Sequence, residues 1–137
     1  MALGIRKTCL SLVFLGFLAL DCASAQSWRP LGPPGGDART LAVDPSHPQS
    51  VYLGTTDGHI FASRDVGAHW QRLGSASMAP NAVITSIVID PRDSATLFAS
   101  VWTPEPDGEG GGIYASHDSG STWSESGLAG HGLRALI

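Results

Sequence analysis

Short apolar runs, each stopped by glycine, proline or aspartate, fill the chain from Arg39 onward, and none of them continues at helical spacing. Leu41-Ala42-Val43 stops at Asp44-Pro45, Val51-Tyr52-Leu53 at Gly54-Thr55, and Ile60-Phe61-Ala62 at Ser63-Arg64-Asp65. The order then starts again. Ile87-Val88-Ile89 stops at Asp90-Pro91, Leu97-Phe98-Ala99 follows, and Ile113-Tyr114-Ala115 runs into Ser116-His117-Asp118. Apolar runs of this length between turn residues read as strands, and the 17 Gly and nine Pro supply the turns. The pattern predicts an all-β protein of many short strands. The exception is the predominantly apolar run from Leu10 to Leu20, which contains Ser11 and Gly16 and stands apart near the N-terminus.

Aligning the two series gives the architecture. Arg39-Thr40-Leu41-Ala42-Val43-Asp44-Pro45 matches Thr85-Ser86-Ile87-Val88-Ile89-Asp90-Pro91, and Ser63-Arg64-Asp65-Val66-Gly67-Ala68-His69-Trp70 matches Ser116-His117-Asp118-Ser119-Gly120-Ser121-Thr122-Trp123. Each unit reads as four strands: an inner one ending at Asp-Pro, a second ending near Thr55 or Trp102, a third ending at Ser63 or Ser116, and an outer one beginning at the Trp. Proline donates nothing to a ladder and biases the residue before it to extended geometry, so Asp-Pro is a strand stop. In the second unit the stretch Thr103 to Gly112 replaces the tight Asp57-Gly58 turn of the first. A four-stranded repeat of about 40 to 50 residues is a propeller blade. The expected organisation is therefore blade 1 over about 37–74, blade 2 over about 82–127, and the start of a third over about 131–137, within a propeller portion of 26–137. Val43, Leu53, Ile87, Ile89 and Phe98 are the expected core.

The repeated corner has its own chemistry. An aspartate in a turn accepts from backbone N–H groups further along, the glycine takes a positive φ, and the tryptophan packs beside the turn. Ser63, Asp65, Gly67, Trp70, Ser116, Asp118, Gly120, Thr122 and Trp123 are accordingly structural candidates. The frame resembles the Asp box, Ser-x-Asp-x-Gly-x-Thr-Trp, of sialidase-like and sortilin-like β-propellers, and the second copy matches every defined position. The first departs at His69, which stands for the threonine, so that turn is expected to lose one side-chain hydrogen bond. The resemblance implies that the corner joins the third and fourth strands of a blade away from the ligand face, which argues against a catalytic role for Asp65 and Asp118.

The ends add to this. Arg6 and Lys7, the Leu10–Leu20 run and Ala23-Ser24-Ala25 have the three-part layout of a secretory signal peptide over 1–25. The run is shorter than the ~20 apolar residues that span a bilayer, so no membrane span is expected and the product is exported, periplasmic or extracellular. Acylation at Cys22 is the competing reading, disfavoured by Asp21 beside it. Both cysteines, Cys9 and Cys22, fall inside this leader, leaving no disulfide or thiolate chemistry. Trp28-Arg29-Pro30-Leu31-Gly32 repeats the outer-strand phrase Trp70-Gln71-Arg72-Leu73-Gly74. Closed propellers have about four to eight blades. The chain therefore reads as the N-terminal portion of a longer protein, or else as a short one that pairs with copies of itself through open strand edges.

A formal net charge of −4 and the lack of any basic run argue against nucleic acid. The scattered His47, His59, His69, His117 and His131 have no metal-ligand spacing, and no metal or cofactor is expected. Glu105, Asp107 and Glu109 lie in a Pro/Gly stretch without the ladder of a calcium loop. Asp57 is the sharpest catalytic candidate: its Tyr-x-x-x-Thr-Asp-Gly context resembles the place where xyloglucan-degrading propeller hydrolases keep a catalytic carboxylate. Against this, Asp-Gly between strands is the favoured two-residue hairpin turn. Glycoside hydrolysis needs two carboxylates, and no second one is identifiable. Arg39, Arg64, Arg72 and Arg92 show no clustered placement of the kind a sialidase needs. Trp102 is either a flat face for a sugar or peptide, or a packed strand end. The sequence points first to a non-enzymatic scaffold binding a protein, peptide or carbohydrate on its loop face. A xyloglucan-type glycoside hydrolase using Asp57 is the alternative, and a nonfunctional truncation the third possibility.

Overall fold

The structure is a computed structural model and describes residues 29–35, 37–74, 81–105 and 108–137. The proposed leader, Trp28, most of the link after Gly74, and Asp107 lie outside the described residues, as do the side chains of Glu105 and Glu109.

Eight strands form two four-stranded antiparallel meanders. The first contains β1 (Ala38–Val43), β2 (Val51–Thr55), β3 (Ile60–Ser63) and β4 (Gln71–Arg72). The second contains β5 (Val83–Asp90), β6 (Asp93–Glu105), β7 (Gly108–Ser116) and β8 (Ser124–Gly127). Strand order follows chain order in both, because each connection is a short hairpin. The third strands end at Ser63 and Ser116, as the repeat predicts.

The stretch Thr103 to Gly112 differs from expectation. It continues the hairpin instead of looping out, with Trp102 paired to Gly111, Thr103 to Gly110 and Glu105 to Gly108. Gly111 makes this possible: its φ is +129°, and a Cβ there would lie 2.0 Å from the Val101 carbonyl oxygen. The second strand of this unit therefore runs past Trp102 to Glu105.

The core lies where β2 of the first sheet meets β5 of the second. Tyr52, Ile60, Ala62, Ile84, Ile87, Ile89, Leu97, Ala99 and Val101 are buried in one cluster. Gly54 sets the spacing, since a Cβ at that position would sit 2.5 Å from Ile84 Cγ2. Leu53 is buried and Phe98 half-buried, but Val43 and its neighbour Leu41 are exposed. Alternation explains the miss: Ala42, between them, takes the side of β1 that packs on the core.

Polar contacts also join the sheets. Asp44 is 1% exposed, and its carboxylate accepts from the Ser46 and His47 N–H groups at 2.8 and 3.2 Å and from Ser94 Oγ of the second unit at 3.0 Å. Burial pushes its pKa up, but the hydrogen bonds from Ser94, Ser46 and His47 outweigh it and hold the carboxyl below its ordinary value. At the rim, Leu73 Cδ1 lies 2.5 Å from where a Cβ on Gly120 would be, while Leu31 lies at ordinary contact distance, 3.6–3.7 Å, from the corresponding point on Gly67. Residues 29–35 form no strand, since no third strand among the described residues pairs with them. The tail, 131–137, runs beside β5 without joining a ladder: Thr85 Oγ1 donates to the Leu133 carbonyl at 2.7 Å and Ser86 Oγ to that of Leu136 at 3.1 Å.

Two expectations follow. Gly54→Ala drives a methyl into Ile84 and should lower unfolding free energy by about 1–3 kcal/mol; an unchanged urea midpoint would contradict the packing. Asp44→Ala should lower Tm more than Asp90→Ala, since Asp90 accepts one described hydrogen bond, from the Arg92 N–H. Equal shifts would remove the inter-sheet role of Asp44.

Candidate functional site

The two corners are nearly superposable in their hydrogen bonding. In the first, Ser63 Oγ donates to Asp65 Oδ1 at 2.8 Å and accepts from the Gly67 N–H at 2.8 Å, while the His69 N–H donates to Asp65 Oδ1 at 2.8 Å. In the second, Ser116 Oγ donates to Asp118 Oδ1, Gly120 N–H donates to Ser116 Oγ, and Thr122 N–H donates to Asp118 Oδ1, each at 2.8 Å. Gly67 and Gly120 take φ of 88° and 86°. The preceding Val66 and Ser119 are also left-handed, at 58° and 57°.

The hydrogen bond expected to be lost at His69 is retained. His69 Nδ1 meets Asp65 Oδ2 at 2.6 Å, where Thr122 Oγ1 meets Asp118 Oδ2 at the same distance. Trp123 Nε1 donates within its own corner, to the Gly120 carbonyl, whereas Trp70 Nε1 reaches the Leu31 carbonyl. Both carboxyls are pulled down to about 2. For Asp65 the chief cause is the His69 side-chain hydrogen bond, and for Asp118 that of Thr122, each followed by the backbone N–H of the same residue.

The corners and the Asp57 turn sit at opposite ends of the strands, because Val51 pairs with Ser63 at one end of β2 while Thr55 closes on His59 at the other. The Asp57 turn is one residue longer than the two-residue form. Thr55 N–H donates to the His59 carbonyl at 3.0 Å, leaving Thr56, Asp57 and Gly58 in the loop, with Gly58 at φ 78°. A type I turn closed by a left-handed glycine has this pattern. Asp57 is over half exposed, accepts from Thr55 Oγ1 and lies 4.0 Å from His59 Nε2. The Thr55 hydroxyl is the main cause that lowers its pKa, aided by the nearby His59 and Arg72 charges against modest desolvation. A carboxyl held ionised in this way suits a base or nucleophile and not a proton donor.

On the same end lies an open cleft between the sheets of ≈ 270 Å³, lined by Arg39, Thr56, Val83, Thr85, Trp102 and Arg134. The ladders place these residues: Ala38 pairs with Thr55 at the start of β1, and Val83 with Trp102 at the start of β5. Trp102 is only part-buried, so its indole does not disappear into the core. Asp57 neighbours the cleft through Thr56 but is not among its lining residues. No carboxylate stands among the described lining residues. The sequence singled out Trp102 and the loop face but not the placing of Arg39 and Arg134 along one cleft.

An oligoxyloglucan-reducing end-specific xyloglucanase of Emericella nidulans is 32% identical over 85 residues, which is 61% of this chain and 10% of that protein. A probable enzyme of the same description from Neosartorya fischeri is 28% identical over 85 residues, again 61% of this chain and 10% of the relative. The crystal structure of the GH74 xyloglucanase from Xanthomonas campestris matches with a TM-score of 0.51 at 24% identity, covering 66% of this chain and 15% of that one. The fold is a partial β-propeller. This chain spans about a tenth of the length of the curated relatives it matches. No family profile matches it.

Among the described residues no helix is long and apolar enough to cross a membrane, and no group of three or more His, Cys, Asp or Glu is placed to hold a metal ion. Of the acidic set, Asp107 and the side chains of Glu105 and Glu109 lie outside the described residues.

The corner carboxyls generate a pH expectation. Their folded pKa of about 2 is below the ordinary value of about 3.9. The unfolded chain therefore binds protons first as pH falls, and the corners' contribution is whole above about pH 4 and lost as pH drops through 2. Tm should hold between pH 7 and 5 and fall below 4, and Asp118→Asn should flatten that fall. An acid limb unaltered in Asp118→Asn would remove the corner as its source.

Proposed function

We propose that this chain is a blade pair of an exported, carbohydrate-binding β-propeller, with its ligand on the cleft face and its Asp-box corners, structural and not catalytic, on the opposite one. The observation that carries the reading is the part-exposed indole of Trp102 in an open inter-sheet cleft with room for one sugar ring. An aromatic face beside a few polar groups suits the C–H face and hydroxyls of a sugar. The resemblance to xyloglucanases supports a β-glucan or xyloglucan oligosaccharide as the ligand class. A binding role is preferred to catalysis because hydrolysis needs a second carboxylate across the bond and the described cleft lining offers none.

One observation favours a second reading, that of a hydrolase segment. Asp57 stands ionised at the rim in a chain similar to glycan-cleaving enzymes, where it would serve as base or nucleophile once another part of the propeller supplied the acid.

Calorimetric titration of the purified chain with xyloglucan oligosaccharides should give saturable binding that weakens at least tenfold in Trp102→Ala. Undiminished binding in that variant would place the ligand elsewhere. Release of reducing ends from xyloglucan by the wild type, lost in Asp57→Ala, would replace the binding reading with the hydrolase.

A further inference from the structure

The turn that holds Asp57 carries more than a carboxylate. Thr55, the last residue of β2, is 1% exposed, and its hydroxyl ties two parts of the loop together. It donates to Asp57 Oδ1 and accepts from the His59 N–H at 2.9 Å. Gly58 lets the turn lie close against the second unit, since a Cβ there would be 2.9 Å from the Ala82 carbonyl oxygen. His59 stands two residues before Phe61, so the two share a face, and their rings are tilted at 53° with centroids 6.4 Å apart. Phe61 pairs with Arg72 of β4, and Arg72 Nη2 comes within 3.4 Å of His59 Nδ1. A guanidinium donates and never accepts. His59 Nδ1 is therefore the acceptor of that bond, and the proton of the neutral imidazole sits on Nε2. That nitrogen faces Asp57 Oδ2, at 4.0 Å.

We infer that Asp57 Oδ2 and His59 Nε2 form a subsite for one hydroxyl of a neutral saccharide, which donates to the carboxylate and accepts from the imidazole. The inference rests on the carbohydrate-binding reading and gives Asp57 the part of a ligand acceptor within it. A separation of 4.0 Å is too long for a direct hydrogen bond. A single oxygen ~2.8 Å from each atom closes the gap at an angle of roughly 90°, which suits a group bonded on two sides. The carboxylate only accepts and the N–H only donates, whereas a hydroxyl does both. An ammonium or a carboxylate on the ligand would satisfy one partner and oppose the other. The subsite is open to a ligand, with the Asp57 and His59 side chains 58% and 32% exposed. Thr56, beside Asp57, lines the cleft that Trp102 also lines. In the second unit the long β6–β7 hairpin takes the place of this turn, so among the described residues the subsite belongs to the first unit alone.

Two measurements on the full chain test this. Proton–nitrogen correlation spectra should place the His59 ring proton on Nε2 and leave Nδ1 bare; the opposite tautomer overturns the inference without any ligand. In calorimetric titration with xyloglucan oligosaccharides, Asp57→Asn should weaken binding about tenfold or more and His59→Phe about threefold or more, in line with hydrogen bonds to charged and to neutral groups. His59→Gln, which keeps an N–H donor, should recover most of the loss. His117→Phe, at the corner end of the second unit, should bind as the wild type does. Circular dichroism separates lost recognition from lost folding. If either variant fails to fold, the His59 ring signals of the wild type decide, since they should shift on saturation with the oligosaccharide and an absence of shift overturns the inference. Wild-type affinity in Asp57→Asn and His59→Phe, with Trp102→Ala still weakened, overturns the inference and leaves the carbohydrate reading standing. Loss of sugar release with affinity intact in Asp57→Asn also overturns it, in favour of the hydrolase. Failure of the wild type to bind overturns the subsite and the carbohydrate reading together.

Discussion

An ionised carboxylate at the reversal between the third and fourth strands is the constraint on which the rest of this architecture depends. The backbone there passes through two left-handed residues in succession, Val66-Gly67 and Ser119-Gly120. A side chain at the first of each pair is costly on steric grounds. What holds it is a small network in which serine bonds both the aspartate and the glycine N–H, and the aspartate bonds the N–H four residues on. The acid does its work as an acceptor, so its charge is part of the fold and not a reagent.

Much of this was legible in the sequence because it is local. A Ser-x-Asp-x-Gly frame closes on itself within eight residues, and two copies in register with matching flanks gave the strand count, the meander order and the positions of the third strands. His69 was misjudged for a physical reason. An imidazole nitrogen reaches the same carboxylate oxygen as a threonine hydroxyl, so a change of residue type preserved the contact. Val43 was misjudged because an apolar run gives no sign of which alternate residue faces the neighbouring sheet, and Ala42 took that side.

What could not be read depends on partners distant in the chain. Asp44-Pro45 was legible as a strand stop, but the bond from Ser94 that makes Asp44 an inter-sheet tie comes from the other unit. The bulges at Arg39 and Thr85 are mismatches between strands, visible only once the ladders are formed. The cleft is built from such relations. Its lining comes from β1, the β2–β3 turn, β5, β6 and the tail, none of which predicts the others. The glycine-rich stretch after Trp102 is similar: its composition suggested a loop, yet glycine at Gly111 is what lets a long hairpin continue past a close carbonyl.

The contact of Leu73 with Gly120 carries a consequence for how the chain acquires its structure. The last residues of the first unit find their resting place on a corner contributed by the second, so neither rim is complete until both have formed. A polypeptide delivered amino end first would thus mature one repeat in arrears, each newly emerged corner latching the segment behind it. Long-range closure of this kind slows folding relative to purely local pairing, and it makes neighbouring repeats rise and fall in stability together.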